Sequence, residues 1–157
     1  MDPKVAQVVA AGREVGVDVV PRTFPAETRT AVDAAAAVGC DVAQIVKSLV
    51  LESPDGPLLF LVGGPNRLDL AKAAAVAGVG EVTLASATRA KAITGYSIGA
   101  TPPFGLATAV PVFVDEDLMA HAEVWAAAGR PDSVFPTEPG RLVQATKARV
   151  ANIKDER

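Results

Sequence analysis

Two apolar runs separated by a Pro-Asp-Gly turn constrain this chain more than any other feature. Asp41 to Leu51 (DVAQIVKSLVL) reads as the strongest strand. Pro57 to Val62 (PLLFLV) reads as a second, nearly continuous apolar strand. Pro54-Asp55-Gly56 supplies the reversal between them. The pair is expected to form an antiparallel hairpin through the core. One lysine interrupts it. Period two sets Ile45, Lys47, Leu49 and Leu51 on one face, so an ammonium sits among aliphatic side chains. An unpaired buried ammonium is costly. Lys47 must therefore reach a partner, a cavity, or solvent at a sheet edge. Ser48 points to the opposite face, which argues against a Ser–Lys nucleophile pair.

The remaining elements follow from caps and breakers. Asp2 caps a first helix with Pro3 at its first position, and Gly16 ends it. Asp18 to Phe24 is extended, with Pro21 confining it to an edge or a bulge. Thr30-x-x-Asp33 is a capping box before an alanine-rich helix that stops at Gly39. Asp69 and Ser86 cap two further helices, closed by Gly78 and Gly95. Glu81 to Ala85 and Ala109 to Val114 are short strands, and Asp115 to Ala120 is a helical turn. Glu123 to Ala128 and Ser133 to Pro136 form two more strands. Pro139 opens the last helix, Ala148 to Ile153 is the last strand, and the charged tail is expected to fray. Strands and helices do not alternate strictly. The fold class is therefore α/β with a mixed, mostly antiparallel sheet surrounded by helices, in one domain over residues 1–157.

Gly95 to Gly105 (GYSIGATPPFG) is the second unusual stretch. It holds glycines for special backbone angles and two consecutive prolines for stiffness, and no charged residue occurs from Ala92 to Val114. The N–H groups of Gly99, Ala100 and Thr101 are expected to be free. Two readings stand: an amide-presenting loop for a carbonyl, phosphate or hydroxyl, or an ordinary Gly/Pro connection. The prolines and glycines of this uncharged run argue against a membrane-spanning helix.

The charge balance, 15 basic against 18 acidic residues, gives no general nucleic-acid footprint. One cysteine, Cys40, excludes an intrachain disulfide framework, and the one histidine, His121, lies in a polar stretch and reads as a surface residue. Together they do not make a zinc site. Asp115, Glu116 and Asp117 read as a cation site or as a solvated helix start. No P-loop or dinucleotide fingerprint occurs. No cofactor is expected. What survives is a lysine in a core strand, a backbone-presenting loop, and no side-chain nucleophile.

At these residues the chain resembles the YbaK/prolyl-tRNA synthetase insertion-domain family of aminoacyl-tRNA deacylases. The matching pieces are Gln44-Ile45-Val46-Lys47-Ser48-Leu49, Phe60-Leu61-Val62-Gly63-Gly64, Leu68-Asp69-Leu70-Ala71-Lys72, Gly99-Ala100-Thr101-Pro102-Pro103, Leu142 to Thr146 and Val150 to Ile153. They run in order from about Ala26 to Ile153. The resemblance implies a partly barrel-like sheet and a free-standing editing enzyme. Its reaction would be metal-independent, substrate-assisted hydrolysis of the ester of a mischarged tRNA, of the Cys-tRNA(Pro) or Ala-tRNA(Pro) kind. Lys47 would position the tRNA 3′ end. Gly99, Ala100 and Thr101 would stabilise the oxyanion or orient the attacking group, with Pro102 and Pro103 at the substrate. Gly63 falls in a matched segment and is assigned to substrate binding. Phe24, Ser48, Ile98, Phe104 and Asp115 are the candidates for the selectivity pocket. The implied partners are the tRNA 3′ end and an aminoacyl-tRNA synthetase, in the cytoplasm, with no membrane, as a monomer or weak homodimer. Two positions depart from many relatives: Ala100 stands where they carry glycine, and Leu106 where they carry histidine. The alternative is a non-catalytic tRNA- or nucleotide-binding module acting with a synthetase.

Overall fold

A computed structural model describes residues 1–24 and 30–157. The start of the family resemblance, at Ala26, lies outside the described residues. Helix α1 (Pro3–Glu14) begins where the Asp2 carboxylate accepts from the Lys4 N–H at 2.8 Å. It buries Val5, Val8 and Gly12. Strand β1 (Arg22–Thr23) is a short edge. Helix α2 (Ala31–Val38) carries the expected capping box between Thr30 and Asp33 and ends at Gly39, whose φ of 76° needs a glycine.

The long hairpin is β2 (Val46–Ser53) and β3 (Gly56–Gly63), antiparallel in register from Val46 opposite Gly63 to Ser53 opposite Gly56. Its first strand is shorter than the apolar run. Val42–Gln44 is a 3-10 turn, because the Asp41 and Gln44 side chains cap it reciprocally. Ile45 therefore lies just ahead of the strand. It packs with Trp125, Val134, Ala34 and Ala35.

Helices α3 (Leu70–Ala77) and α4 (Ala87–Thr94) flank β4 (Thr83–Leu84). Then come β5 (Val112–Asp115), a 3-10 turn (Glu116–Ala120), β6 (Val124–Ala127) and β7 (Ser133–Thr137). Helix α5 (Pro139–Thr146) and β8 (Arg149–Ala151) close the order. Five strands form one sheet in the order β4-β2-β3-β5-β8, and three form another, β1-β7-β6. The β2–β3, β2–β4, β1–β7 and β6–β7 pairs are antiparallel, whereas β3–β5 and β5–β8 are parallel. Among the described residues a parallel bridge from Ile45 to Trp125 joins the sheets, and no closed barrel forms.

Both faces of the larger sheet are covered, which explains why PLLFLV is apolar throughout rather than alternating. Leu59 and Leu61 meet Val8, Tyr96, Phe104, Phe135 and Leu142 on one side. Leu58, Phe60 and Val62 meet Ala73, Ala74 and Ile153 on the other. Phe60 stacks on Phe113 of the neighbouring parallel strand, centroids 4.8 Å apart. The charged tail does not fray through Asp155: its N–H donates to Arg67 O at 2.7 Å, and Lys154 bridges to Leu68. Among the described residues no helix is long and apolar enough to cross a membrane.

Candidate active site

A cavity of about 480 Å³ opens between the two sheets, where β2 leaves β6 behind. The N-terminal end of α2, from Thr30 to Ala34, forms one wall. Ile45 and the first residues of β2, Val46 to Leu49, form another. Trp125, Ala127 and Val134 form the third, and Ile98, Gly99 and Thr101 form the rim. Lys47 is the one charged side chain among the described lining residues. A separate recess of about 240 Å³ beside Val9, Arg13 and Asp18 contains none of the expected residues.

Lys47 leaves β2 on the side of Leu49 and Leu51, toward α3. It is half-buried, and its Nζ donates to the main-chain carbonyl of Asn66. Burial lowers its pKa below the usual lysine value, and the nearby Asp115 carboxylate opposes that shift. Asn66 closes the turn after β3, its N–H donating to Gly63 O at 2.8 Å. Its side-chain Nδ2 donates to Asp115 Oδ2 at 2.8 Å and to Asp117 Oδ2 at 2.9 Å. That orientation of the amide follows from chemistry, since its oxygen could not face two carboxylates.

Asp115 is fully buried. Besides Asn66 it accepts from the Gly63 N–H and from the Asp117 N–H, each at 3.0 Å. The acidic run therefore is not simply a solvated helix start. Its first carboxylate is an internal acceptor behind Lys47. Asp117 also accepts from Lys154 Nζ at 2.8 Å, and the bonds from Lys154 and Asn66 hold its carboxyl below the usual range. Among the described residues no group of three His, Cys, Asp or Glu side chains could hold a metal ion.

The Gly95–Gly105 loop combines exposed and anchored parts. Gly95 ends α4 at φ 84°, and Lys4 Nζ donates to its carbonyl at 2.7 Å. The Ala100 N–H donates to Ser97 O at 3.0 Å, and the Ala100 carbonyl accepts from Gly129 N–H at 3.1 Å. The expectation of three free amides is thus corrected at Ala100, because a tight turn at Ser97 consumes its donor. Among the described residues no backbone acceptor faces the N–H groups of Gly99 and Thr101. Gly99 has φ 85°, a left-handed backbone that points its peptide where other residues could not without strain. Thr101 Oγ1 donates to Ser97 O at 3.2 Å. Ile98 is 61% exposed at the rim.

The cavity gathers Lys47, Ser48, Ile98, Gly99 and Thr101. It does not gather the other candidates. Ala100, Pro102 and Pro103 are buried beneath the loop, and Phe104 packs against Phe135 in the core at 5.8 Å. Phe24 packs on the Trp125 cluster, with the Arg22 guanidinium 5.8 Å from its ring. Gly63 and Asp115 lie behind Lys47. The Ser48 hydroxyl is buried without a partner, on the strand face opposite Lys47. Half-buried Cys40 packs beside that same cluster, and burial pushes its thiol pKa up. The pattern reading did not single out Asn66, Trp125 or the start of α2. Asn66 sits in a Gly-Gly-Pro-Asn breaker that reads as a plain turn, and Trp125 reads as an ordinary strand residue.

Four comparisons bear on this arrangement. EbsC of Enterococcus faecalis, which carries by name the description of a Cys-tRNA(Pro)/Cys-tRNA(Cys) deacylase, is 26% identical over 120 residues, covering 76% of this chain and 73% of that protein. A crystal structure described as a trans-editing enzyme for prolyl-tRNA synthetase superposes with a TM-score of 0.94 at 42% identity, over 99% of both chains. The crystal structure of hypothetical protein APE2540 gives 0.83 at 30% identity, over 97% of this chain and 99% of that one. A sequence model of the aminoacyl-tRNA editing domain matches residues 25–145, the span that carries Lys47, Asn66 and the Gly99–Thr101 segment, and the chain belongs to that family.

Proposed function

We propose that this chain is a trans-editing hydrolase that cleaves the ester bond of a mischarged tRNA. The observation that carries the reading is one cavity lined by the Lys47 strand and by Gly99 and Thr101, with spare amides on the loop side. A cationic amine favours an anion, either a phosphate of the tRNA 3′ end or charge developing on the ester oxygen. The amides of Gly99 and Thr101 are suited to a tetrahedral oxyanion. The described lining contains no carboxylate, histidine or thiol. The proton acceptor is therefore assigned to the substrate or to solvent, in a substrate-assisted reaction to which we assign no metal. Water adds to the ester carbonyl as its proton passes to a neighbouring ribose hydroxyl or to solvent. The bond to the ribose oxygen breaks, that oxygen takes the proton, and free amino acid and uncharged tRNA leave.

The wall built from Ala31, Ala34, Ile45, Trp125 and Val134 suits a small uncharged side chain such as that of alanine or cysteine. In an apolar pocket one methylene discriminates by only about 1–3 kcal/mol, so the reading includes relaxed selectivity among small residues. The similarity to a trans-editing structure motivates tRNA(Pro), with prolyl-tRNA synthetase as the partner enzyme. The test is a panel of tRNAs carrying the wrong amino acid, incubated with wild type and Lys47→Ala. Release of alanine or cysteine by wild type and a large loss in the variant are expected. No release from any tRNA, or full activity without Lys47, overturns the reading. Tight tRNA binding without turnover would establish the binding-module alternative instead.

A further inference from the structure

We propose that Asn66 is a positioning residue, which holds the Lys47 amine at the cavity by clamping its own peptide to the buried Asp115 and to Asp117. This inference rests on the editing reading for its kinetic test but not for its geometry.

Lys47 stands on a strand with both neighbours committed to the sheet, and its four-carbon stem leaves the amine free to choose among acceptors. It has chosen a main-chain carbonyl, that of Asn66, and not either carboxylate. A carbonyl in a turn is a good locator only if the turn cannot move. Here the turn is pinned at both ends of one residue. The Asn66 N–H donates to Gly63 O at 2.8 Å, and the Asn66 amide bridges Asp115 and Asp117 at 2.8 and 2.9 Å. Asp115 is fully buried and is itself fixed by the Gly63 and Asp117 N–H groups. Asp117 is tied to Lys154 of the C-terminal segment at 2.8 Å.

The clamp also separates charges. Two carboxylates beside one another attract any nearby ammonium. The two N–H donors of the Asn66 amide occupy Oδ2 of each carboxylate, and the Lys47 amine bonds the Asn66 carbonyl instead of forming a direct ion pair. Gly63 borders this arrangement, since a Cβ there would come into ordinary contact with Asp115 Oδ2 at 3.4 Å and the Asn66 Nδ2 at 3.5 Å. Without the amide, the amine is expected to swing toward Asp115 and leave the wall it shares with the loop.

A double-mutant cycle tests this. Asn66→Ala is measured in the wild-type and the Lys47→Met backgrounds, first by kcat on a mischarged tRNA. The second measurement is Kd for an acceptor-stem minihelix bearing an amide-linked alanine, which cannot be hydrolysed. If Asn66 acts through Lys47, its removal lowers kcat or weakens binding about tenfold when Lys47 is present and less than about twofold when it is methionine. Should Asn66→Ala not fold, Asn66→Ser keeps one donor and runs the same cycle. Equal losses in both backgrounds, or no loss beside Lys47, overturn the role of Asn66. A wild-type chain that neither hydrolyses nor binds these probes overturns the functional reading itself.

Discussion

Asp115 Oδ2 accepts the Gly63 N–H at 3.0 Å across 52 residues of sequence, joining the end of β3 to the end of β5. Because β3 and β5 are parallel neighbours, both ends emerge at the same edge of the sheet, next to Lys47. A strand-end carboxylate thereby becomes the anchor for the turn that holds the lysine.

Replacing that carboxylate should be costly. Asp115→Ala leaves three N–H donors without an acceptor in the interior, and we expect a loss of about 3 kcal/mol. Asp115→Asn turns one acceptor into a donor facing a donor, for about 1–3 kcal/mol. Urea denaturation followed by circular dichroism measures both. Equal stability of the three proteins would refute the burial argument.

The two adjacent glycines after β3 should respond differently. A Cβ on Gly64 would lie 2.2 Å from the Val42 carbonyl oxygen, a backbone atom that cannot turn aside. A Cβ on Gly63 would meet nothing nearer than 3.4 Å. Gly64→Ala should therefore cost about 1–3 kcal/mol and distort the cavity wall, whereas Gly63→Ala should cost less than about 1 kcal/mol. Thermal melting of the two variants in parallel decides it.

Gly99 separates strain from crowding. Among the described residues no atom beyond the chain neighbours lies within 4 Å of a Cβ there, yet φ is 85°. Gly99→Ala should lose about 1 kcal/mol of stability, but its deacylation rate should fall further than that, because relaxing φ rotates the amide away from the cavity. A rate loss confined to KM, with kcat intact, would remove the loop amide from the mechanism.

Lys47 should make stability depend on pH at the alkaline end. Its folded pKa lies below the usual 10.5, mainly through burial. The unfolded chain therefore binds the proton more readily, and stability rises with pH between the lowered folded value and 10.5. Below that window the ammonium is a penalty on the folded state. Lys47→Met should thus melt higher than wild type at pH 7, with the gap closing as pH climbs through the window. A gap that widens there would show that the amine is better satisfied folded than unfolded. Such a variant would combine higher stability with lost activity, the usual trade at a functional site.

The hairpin, the capping box at Thr30, the helix stop at Gly39 and the start of α5 at Pro139 were all legible in the sequence. Each is settled within a few residues, by a cap, a fixed φ or a two-residue period. Lys47 stood out for the same reason, as a polar residue in an apolar strand. The strand starts at Val46 rather than at Asp41, because a local hydrogen bond between Asp41 and Gln44 turns the chain before the sheet begins.

What local rules could not decide is which distant segments share a wall. The parallel pairing of β3 with β5 brings Asp115 to Gly63, and the bridge from Ile45 to Trp125 sets the second sheet against the first. Phe104 left the expected pocket because Phe135 offered it apolar contact in the core. Asn66 carries no sequence signal, since its role lies in two carboxylates 49 and 51 residues away. The sequence by itself determined the strand, its lysine and the stiff loop. Only the tertiary structure decided that lysine and loop line one cavity, because burial of both sheet faces forces strand order, and strand order decides which ends meet.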